Sequence, residues 1–176
     1  MQSESKVIFE RNSVEFVTVA AQYCQFLENV EGMQREEFIH TILKILPLLY
    51  VKALLLPEME MIDEDDTLET CVTEETYSVM NAQLADIMGD RDDYLDVFVE
   101  DMKYSDQPIT RYISEGLADI YQELKDMAAA FQTGQESIMH DAVIACRTGF
   151  EEHWGQKLLA VLRALHALAH NESDNF

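Results

Sequence analysis

The chain carries its clearest helical signal in residues 113–131, ISEGLADIYQELKDMAAAF. Apolar side chains recur there at steps of four and three, at Ile113, Leu117, Ile120, Leu124, Met127 and Phe131. Because an α-helix turns once in about 3.6 residues, this spacing places them on one buried stripe. Asp106 and Pro108 are typical of a helix start, and Gly134 of a helix end. The pattern therefore predicts a long amphipathic helix from Asp106 to Gly134.

Similar spacing predicts helices on both sides of this one, starting near Asn12, Gln34, Thr73 and Glu136. Asn12 and Glu15 have the spacing of a capping box, and the helix after Thr73 is predicted to bury Tyr77 and to end at Gly89. Pro47 should kink or divide the second helix, and the last should bend near Gly149 or Gly155. No strand-like alternation of useful length occurs. The sequence thus predicts an all-α fold, a single-domain antiparallel bundle of about five helices over residues 1–176, with frayed ends at 1–11 and 171–176.

Acidic residues dominate the charge of the chain and concentrate in its middle third. The whole chain has 34 acidic and 12 basic side chains, a net charge of −22, and residues 57–106 alone hold seventeen acidic and two basic ones. Residues 57–72, PEMEMIDEDDTLETCV, have no clean period and are predicted to be an acidic linker. This field repels nucleic acids and anionic membranes, so we expect a basic protein partner instead.

Targeting features and cysteine spacing indicate the compartment. Residues 1–10 lack the pattern of a secretory signal, and no apolar run reaches the roughly 20 residues that span a bilayer. Cys24, Cys71 and Cys146 are far apart, which predicts neither a disulfide framework nor a zinc knuckle. A cytoplasmic location is expected.

Motifs for metals, cofactors and catalysis are weak. His166 and His170 share a helix face at zinc-ligand spacing, but no nearby carboxylate completes the site, so a solvated helix end is favoured. The acidic turn near Asp90 lacks the Gly and oxygen ligands of a calcium loop. Phosphate loops and nucleophile elbows are also missing from the sequence. We therefore predict no metal and no cofactor, and leave enzymatic activity open with a preference against it.

Four strings in order resemble an uncharacterised bacterial family of acidic, all-helical domains found in Bacteroidetes and actinobacteria. The strings are Gly89–Tyr94 (GDRDDY), Leu117–Tyr121 (LADIY), Phe150–Gly155 (FEEHWG) and Ala164–His166 (ALH). The resemblance covers residues 84–168 and implies a helical fold without an assigned activity. Members carry two acids before the LAD string, whereas this chain has Gly116 as the second residue.

The resemblance singles out polar residues that an apolar core does not require: Asp92, Tyr94, Asp119, Tyr121, His153 and His166. Asp119 and His153 each lie roughly 100–120° from the buried stripe of their helix, at the boundary of core and solvent. We expect these two side chains, with Tyr94 or Tyr121, to form one partly buried cluster within about 10 Å, above Trp154. Its expected role is structural rather than catalytic.

Three functions are compatible with these features. The first is a non-enzymatic binding or adaptor protein for a basic partner, based on the acidic middle third. The second is a hydrolase or metal-dependent enzyme with an Asp/His/Tyr site between helices. The third is a nucleic-acid mimic that blocks a DNA-binding protein.

Overall fold

The computed structural model describes residues 6–64, 68–96 and 107–171. Its α-helices are α1 (Arg11–Glu28), α2 (Arg35–Leu54), α3 (Glu74–Met88), α4 (Ile113–Gln132), α5 (Glu136–Gly149) and α6 (Gly155–Asn171). A π-helical turn, Phe150–Trp154, joins α5 to α6, and short 3-10 turns occupy Val7–Phe9 and Gly89–Arg91. Two short strands, β1 (Asp93–Asp96) and β2 (Ile109–Tyr112), form an antiparallel pair.

The core is built around α4, which packs against α1, α3, α5 and α6. The predicted apolar stripe is buried from Ile113 to Met127, while Phe131 is only partly covered. The Tyr23 hydroxyl of α1 donates a buried hydrogen bond of 2.7 Å to the Leu117 carbonyl. At Gly116 a Cβ would lie 2.4 Å from Val161 of α6, so only glycine permits this close helix contact. The predicted all-α bundle of about five helices is confirmed, with α5 and α6 forming one interrupted helical path.

The predicted start of the central helix is wrong. Residues 109–112 form β2, which pairs with β1 from Asp93↔Tyr112 to Asp96↔Ile109, and α4 begins only at Ile113. Each strand is four residues long and half of β1 is exposed, so neither leaves a recognisable alternation in the sequence. Asp106 itself lies outside the described residues.

Helix-end predictions are partly confirmed. Thr73 caps α3 by accepting a hydrogen bond of 3.1 Å from the Thr76 amide, and Gly89 ends that helix with φ +56°. The capping box of Asn12 and Glu15 is not formed, because Glu15 pairs with Arg11 and Lys52. The N-cap of α1 is instead Glu10, two residues before Asn12.

The two interruptions predicted within helices, at Pro47 and near Gly155, have different outcomes in the structure. α2 continues through Pro47, so the helix is not divided there, and its neighbours Leu46 and Leu49 are fully buried. At the last helix the predicted bend is a π-turn, in which the Gly155 amide donates to the Phe150 carbonyl. A Cβ on Gly155 would lie 2.5 Å from that oxygen.

Residues 57–64 and 68–72 form no helix or strand, as the predicted acidic linker requires. At the N-terminus, residues 7–11 are folded, with Ile8 only 1% exposed. Of the C-terminal residues predicted to fray, 171–176, Asn171 still belongs to α6 and the others lie outside the described residues. Within the described part of the chain, no helix combines the length and apolarity needed to cross a membrane.

Candidate functional site

Asp119 lies on the side of α4 that faces α3 and α6, and both of its carboxylate oxygens are engaged. Oδ1 accepts a hydrogen bond of 2.6 Å from the Tyr77 hydroxyl of α3, and Oδ2 lies 2.5 Å from the Lys157 ammonium of α6. Burial and the Asp119 charge raise the pKa of Tyr77. Sequence analysis expected Tyr94 or Tyr121 here and missed Tyr77, which it assigned to the buried stripe of α3.

His153 is in the π-helical turn and is directed toward solvent, with 67% of its side chain exposed and Nε2 3.7 Å from Glu152. Asp119 and His153 therefore have different partners and form no hydrogen bond with each other. They share an electrostatic neighbour, Glu123 of α4. Burial raises the pKa of the Glu123 carboxyl, His153 and Lys157 oppose this shift, and the Asp119 charge adds to it.

Trp154 and Tyr121 are anchored in the core. The Trp154 side chain is 1% exposed, lies against the Phe16 and Phe150 rings, and donates a hydrogen bond of 2.9 Å from Nε1 to the Cys146 carbonyl. The Tyr121 hydroxyl donates to Glu28 at 2.8 Å, and burial together with this carboxylate raises its pKa. Both side chains tie helices together.

The remaining predicted residues lie in three separate places. Asp92 caps α4: its carboxylate accepts from the amide and the hydroxyl of Ser114, at 2.8 and 2.6 Å. Tyr94 is half-buried on β1, and His166 stacks near His170 with ring centroids 4.4 Å apart at the exposed end of α6. Among the described residues, no group of three or more His, Cys, Asp or Glu side chains is placed to bind a metal.

Tyr94 and His153 both line a groove formed by the β1–β2 pair, the π-helical turn and α6. Its volume is about 820 Å³, and Arg111, Lys157 and Arg163 contribute basic groups to its walls. Arg111 is paired with Asp96 at 3.2 Å, and Lys157 with Asp119. The groove thus has a charge-compensated rim.

The described parts of the acidic segment, residues 57–64 and 68–72, are fastened to α4 and α5, mainly by carboxylates. Asp141 accepts hydrogen bonds from the Ile62 and Asp63 amides at 2.8 and 3.0 Å. Asp126 accepts from the Cys71 and Val72 amides at 2.7 and 3.0 Å through one oxygen, Oδ1. Arg147 donates to the Pro57 carbonyl at 2.7 Å. These bonds fix a segment that sequence analysis treated as a surface linker.

Exposed carboxylates project from this fixed backbone at Glu58, Glu60, Asp63, Glu64 and Glu69. The chain contains no Lys or Arg between Lys52 and Arg91. The described stretches 57–64 and 68–72 therefore form a negative surface with a defined shape. The sequence identified its charge, but not its attachment.

An exposed apolar surface lies directly before the acidic segment, on the outer side of α2. We call it the α2 face: Leu48, Val51, Leu54 and Leu55, with 46%, 49%, 60% and 47% of each residue exposed. The spacing of three and four residues aligns Leu48, Val51 and Leu55 on one side of the helix. Lys52 lies within the same turns, but its ammonium pairs with Glu15 of α1 at 2.6 Å.

A cavity of about 400 Å³ lies between the acidic segment and helices α4 and α5. Its walls are mainly apolar, and Glu123 and Asp126 contribute carboxylates. The exposed thiol of Cys71 and the buried thiol of Cys146 also line it. Burial raises the pKa of both thiols, so each is protonated at neutral pH and a poor nucleophile.

Fold and surface together define an acidic helical domain with an anchored acidic segment and an adjoining apolar helix face. A family model described as a domain of unknown function (DUF5063) matches residues 7–171, and the chain belongs to this family. The crystal structure of protein BF1032 from Bacteroides fragilis is similar, with 47% identity and a TM-score of 0.82 over 93% of this chain and 99% of that chain. No curated protein matches. The resemblance to an uncharacterised bacterial helical family is thereby confirmed.

Proposed function

We propose that this protein is a non-enzymatic binding protein that docks a basic, amphipathic helix of a partner protein. The supporting observation is the continuity of the α2 face with the anchored acidic segment, since Leu55 is followed within three residues by exposed Glu58. An amphipathic helix presents an apolar stripe flanked by charge, which matches this surface in both respects. The same proposal places the protein in the cytoplasm, where its three free thiols stay reduced.

The apolar half of the surface supports a protein ligand. Large side chains that are close together and about half exposed on a helix are typical of interaction sites rather than of ordinary solvated surface. Burying Leu48, Val51 and Leu55 against a partner would remove their apolar area from water. A second copy of this chain is a poor occupant, because each copy has a net charge of −22.

The charged half of the surface supports a basic ligand. The described parts of the acidic segment are already held by Asp126 and Asp141, so binding there would cost little additional backbone entropy. Exposed carboxylates would attract Lys and Arg side chains and accelerate association at low salt. Nucleic acids and anionic lipids are repelled by the same field.

The alternatives have less support. For an enzyme, the Asp119 carboxylate would have to orient a base, yet both its oxygens are engaged by Tyr77 and Lys157. For a nucleic-acid mimic, the acidic surface would suffice alone, and the exposed α2 face would have no role. A mimic also predicts competition with DNA for the same partner, which the experiment below can test.

The test uses a fluorescent helical peptide of about 18 residues, or five turns, with Leu on one face and Lys on the other. Anisotropy should detect binding that weakens steeply between low and high salt. Val51→Asp should weaken the binding about tenfold or more, because it places a charged carboxylate in the apolar contact, where the carboxylate loses its hydration. Val79→Asp is the matched control, since Val79 on α3 is similarly exposed at 53%.

A second pair of variants separates local charge from net charge. The double variant Glu58→Gln, Glu60→Gln should weaken binding of the peptide. The double variant Glu31→Gln, Glu136→Gln, which changes two exposed acids elsewhere, should leave the binding unchanged. A peptide of the same composition without a helical apolar face should bind poorly. Equal loss in Val51→Asp and Val79→Asp, or equal binding of both peptides, would refute docking on the α2 face.

A further inference from the structure

The cavity between the acidic segment and helices α4 and α5 is large enough for a small organic molecule or a long side chain. Its apolar wall consists of Leu68, Met127, Ala129, Ala130, Ile138, Ala142 and Ala145. The charged residues that line it are all acidic, namely Glu69 of the acidic segment and Glu123 and Asp126 of α4. An occupant must therefore combine an aliphatic body with a group that pairs with carboxylates.

Glu123 is the unusual group in this cavity. The half-buried carboxylate makes no hydrogen bond and no salt bridge to any residue that the structure describes. One oxygen, Oε2, lies above Gly149 of α5, where a Cβ would be 3.0 Å away. Gly149 thus leaves room for a partly buried carboxylate that has no hydrogen-bond donor among the described residues and whose oxygens stay open to water or to a ligand.

Asp126 adds a second acceptor to the same wall. Both amides of the acidic segment bind its Oδ1, so Oδ2 retains acceptor capacity beside the cavity. Anionic ligands would be repelled by these two carboxylates and by exposed Glu69 at the rim. A cationic hydrogen-bond donor satisfies Glu123 and gains a charge-assisted bond.

We propose that this cavity binds a primary alkylammonium group, with the ammonium at Glu123 and the alkyl chain along the apolar wall. An alkyl chain of four or five methylenes matches walls built from Ala, Leu, Ile and Met side chains. The thiols of Cys71 and Cys146 take no covalent part, since both are protonated. The ligand could be a free aliphatic diamine or the lysine side chain of a bound protein, which share this chemistry.

The test is titration calorimetry of the full chain with 1,5-diaminopentane, with 1-pentanol as the uncharged analogue. Diaminopentane should bind and pentanol should not. Glu123→Gln should weaken the binding of diaminopentane about tenfold or more, because it removes a charge-assisted hydrogen bond. Glu115→Gln is the matched control, since Glu115 is an exposed acid of the same helix outside the cavity.

A steric variant keeps the proposal falsifiable if Glu123→Gln perturbs the fold. Ala145→Leu places a larger side chain at an exposed wall position and should also abolish binding while the helical circular dichroism is unchanged. The acetylated tripeptide amide Gly-Lys-Gly tests the side-chain source against the free diamine. Binding of either ligand, lost in both cavity variants, supports the proposal and identifies the source.

Failure of both ligands to bind, or equal binding by Glu115→Gln and Glu123→Gln, would overturn the proposal. This result would leave the proposal of docking on the α2 face unchanged. The cavity proposal does not depend on Val51 or Glu58, and the docking experiment uses neither Glu123 nor Ala145.

Discussion

Individual acids in this protein have two distinct uses. Most of the acidic side chains among the described residues are exposed. Asp92, Asp126 and Asp141, in contrast, each accept two hydrogen bonds from another part of the chain. A carboxylate that accepts from backbone amides is stabilised in its charged form. For Asp141 burial opposes this effect, yet the Ile62 amide, the His140 ring and the Asp63 amide lower its pKa below the ordinary 3.8.

Replacement of Asp141 tests whether it fastens the acidic segment. Asp141→Asn keeps one acceptor oxygen but loses the second, so one amide of Ile62 or Asp63 loses its bond. We expect a loss of about 1–3 kcal/mol in the free energy of unfolding. Hydrogen exchange at Ile62 and Asp63 should accelerate. Asp86→Asn, an exposed acid on α3, is the control.

The direction of the pKa shift of Asp141 determines how its contribution to stability changes with pH. Because the pKa is lowered on folding, the stabilisation is complete above the unfolded value of about 3.8 and is lost as pH falls through the folded pKa. Asp141→Asn should therefore lose less stability between pH 5 and acid unfolding than the wild type. Parallel stability curves for the two proteins would contradict this role.

At the scale of elements, α4 is fixed by residues distant in sequence. Its first turn is capped by Asp92, whose backbone oxygen accepts from the Ile113 amide at 2.8 Å and whose carboxylate binds Ser114. The β1–β2 pair brings Asp92 to this position, since β1 begins at the next residue and β2 ends where α4 begins. The β1–β2 pair therefore defines where the central helix starts.

Asp92→Ala should destabilise the protein by about 2 kcal/mol, because it leaves the amide and hydroxyl of buried Ser114 without an acceptor. Ser114→Ala removes only the hydroxyl bond and should cost less. Guanidinium unfolding of the two variants gives the comparison. If Ser114→Ala costs as much as Asp92→Ala, the carboxylate is not an effective cap for α4.

At the scale of the whole molecule, repulsion among negative charges is the main electrostatic effect. The chain has a net charge of −22, and the described salt bridges, such as Arg11–Glu15 and Lys157–Asp119, are largely on the surface. Surface pairs contribute little each, whereas repulsion among excess carboxylates acts throughout the folded state. Screening should relieve more repulsion than it removes attraction.

Added salt should therefore raise the melting temperature. We expect about 3 °C or more between about 0.02 and 0.5 M sodium chloride, since 1 kcal/mol corresponds to 2–4 °C at this chain length. Choline chloride at equal ionic strength controls for specific sodium binding. A melting temperature that falls with both salts would mean that attractive pairs outweigh the repulsion.

The sequence alone determined the helical class of the fold and the core stripe of α4. Ile113, Leu117 and Leu124 are buried where the 3.6-residue period placed them, because periodicity depends only on local geometry. Thr73 and Gly89 ended α3 as predicted for the same reason, since capping is a contact over a few residues. The uneven charge is likewise a property of composition.

Tertiary structure decided everything that depends on contacts between distant residues. Asp92 binds Ser114 across 22 positions, Asp119 binds Tyr77 across 42, and Asp141 binds Ile62 across 79. Helical spacing gives the direction of a side chain but not the neighbour it meets. The exposed α2 face, and the lack of a partner for Glu123 among the described residues, were hidden for the same reason, because an apolar or acidic residue acquires its exposure only when the helices pack.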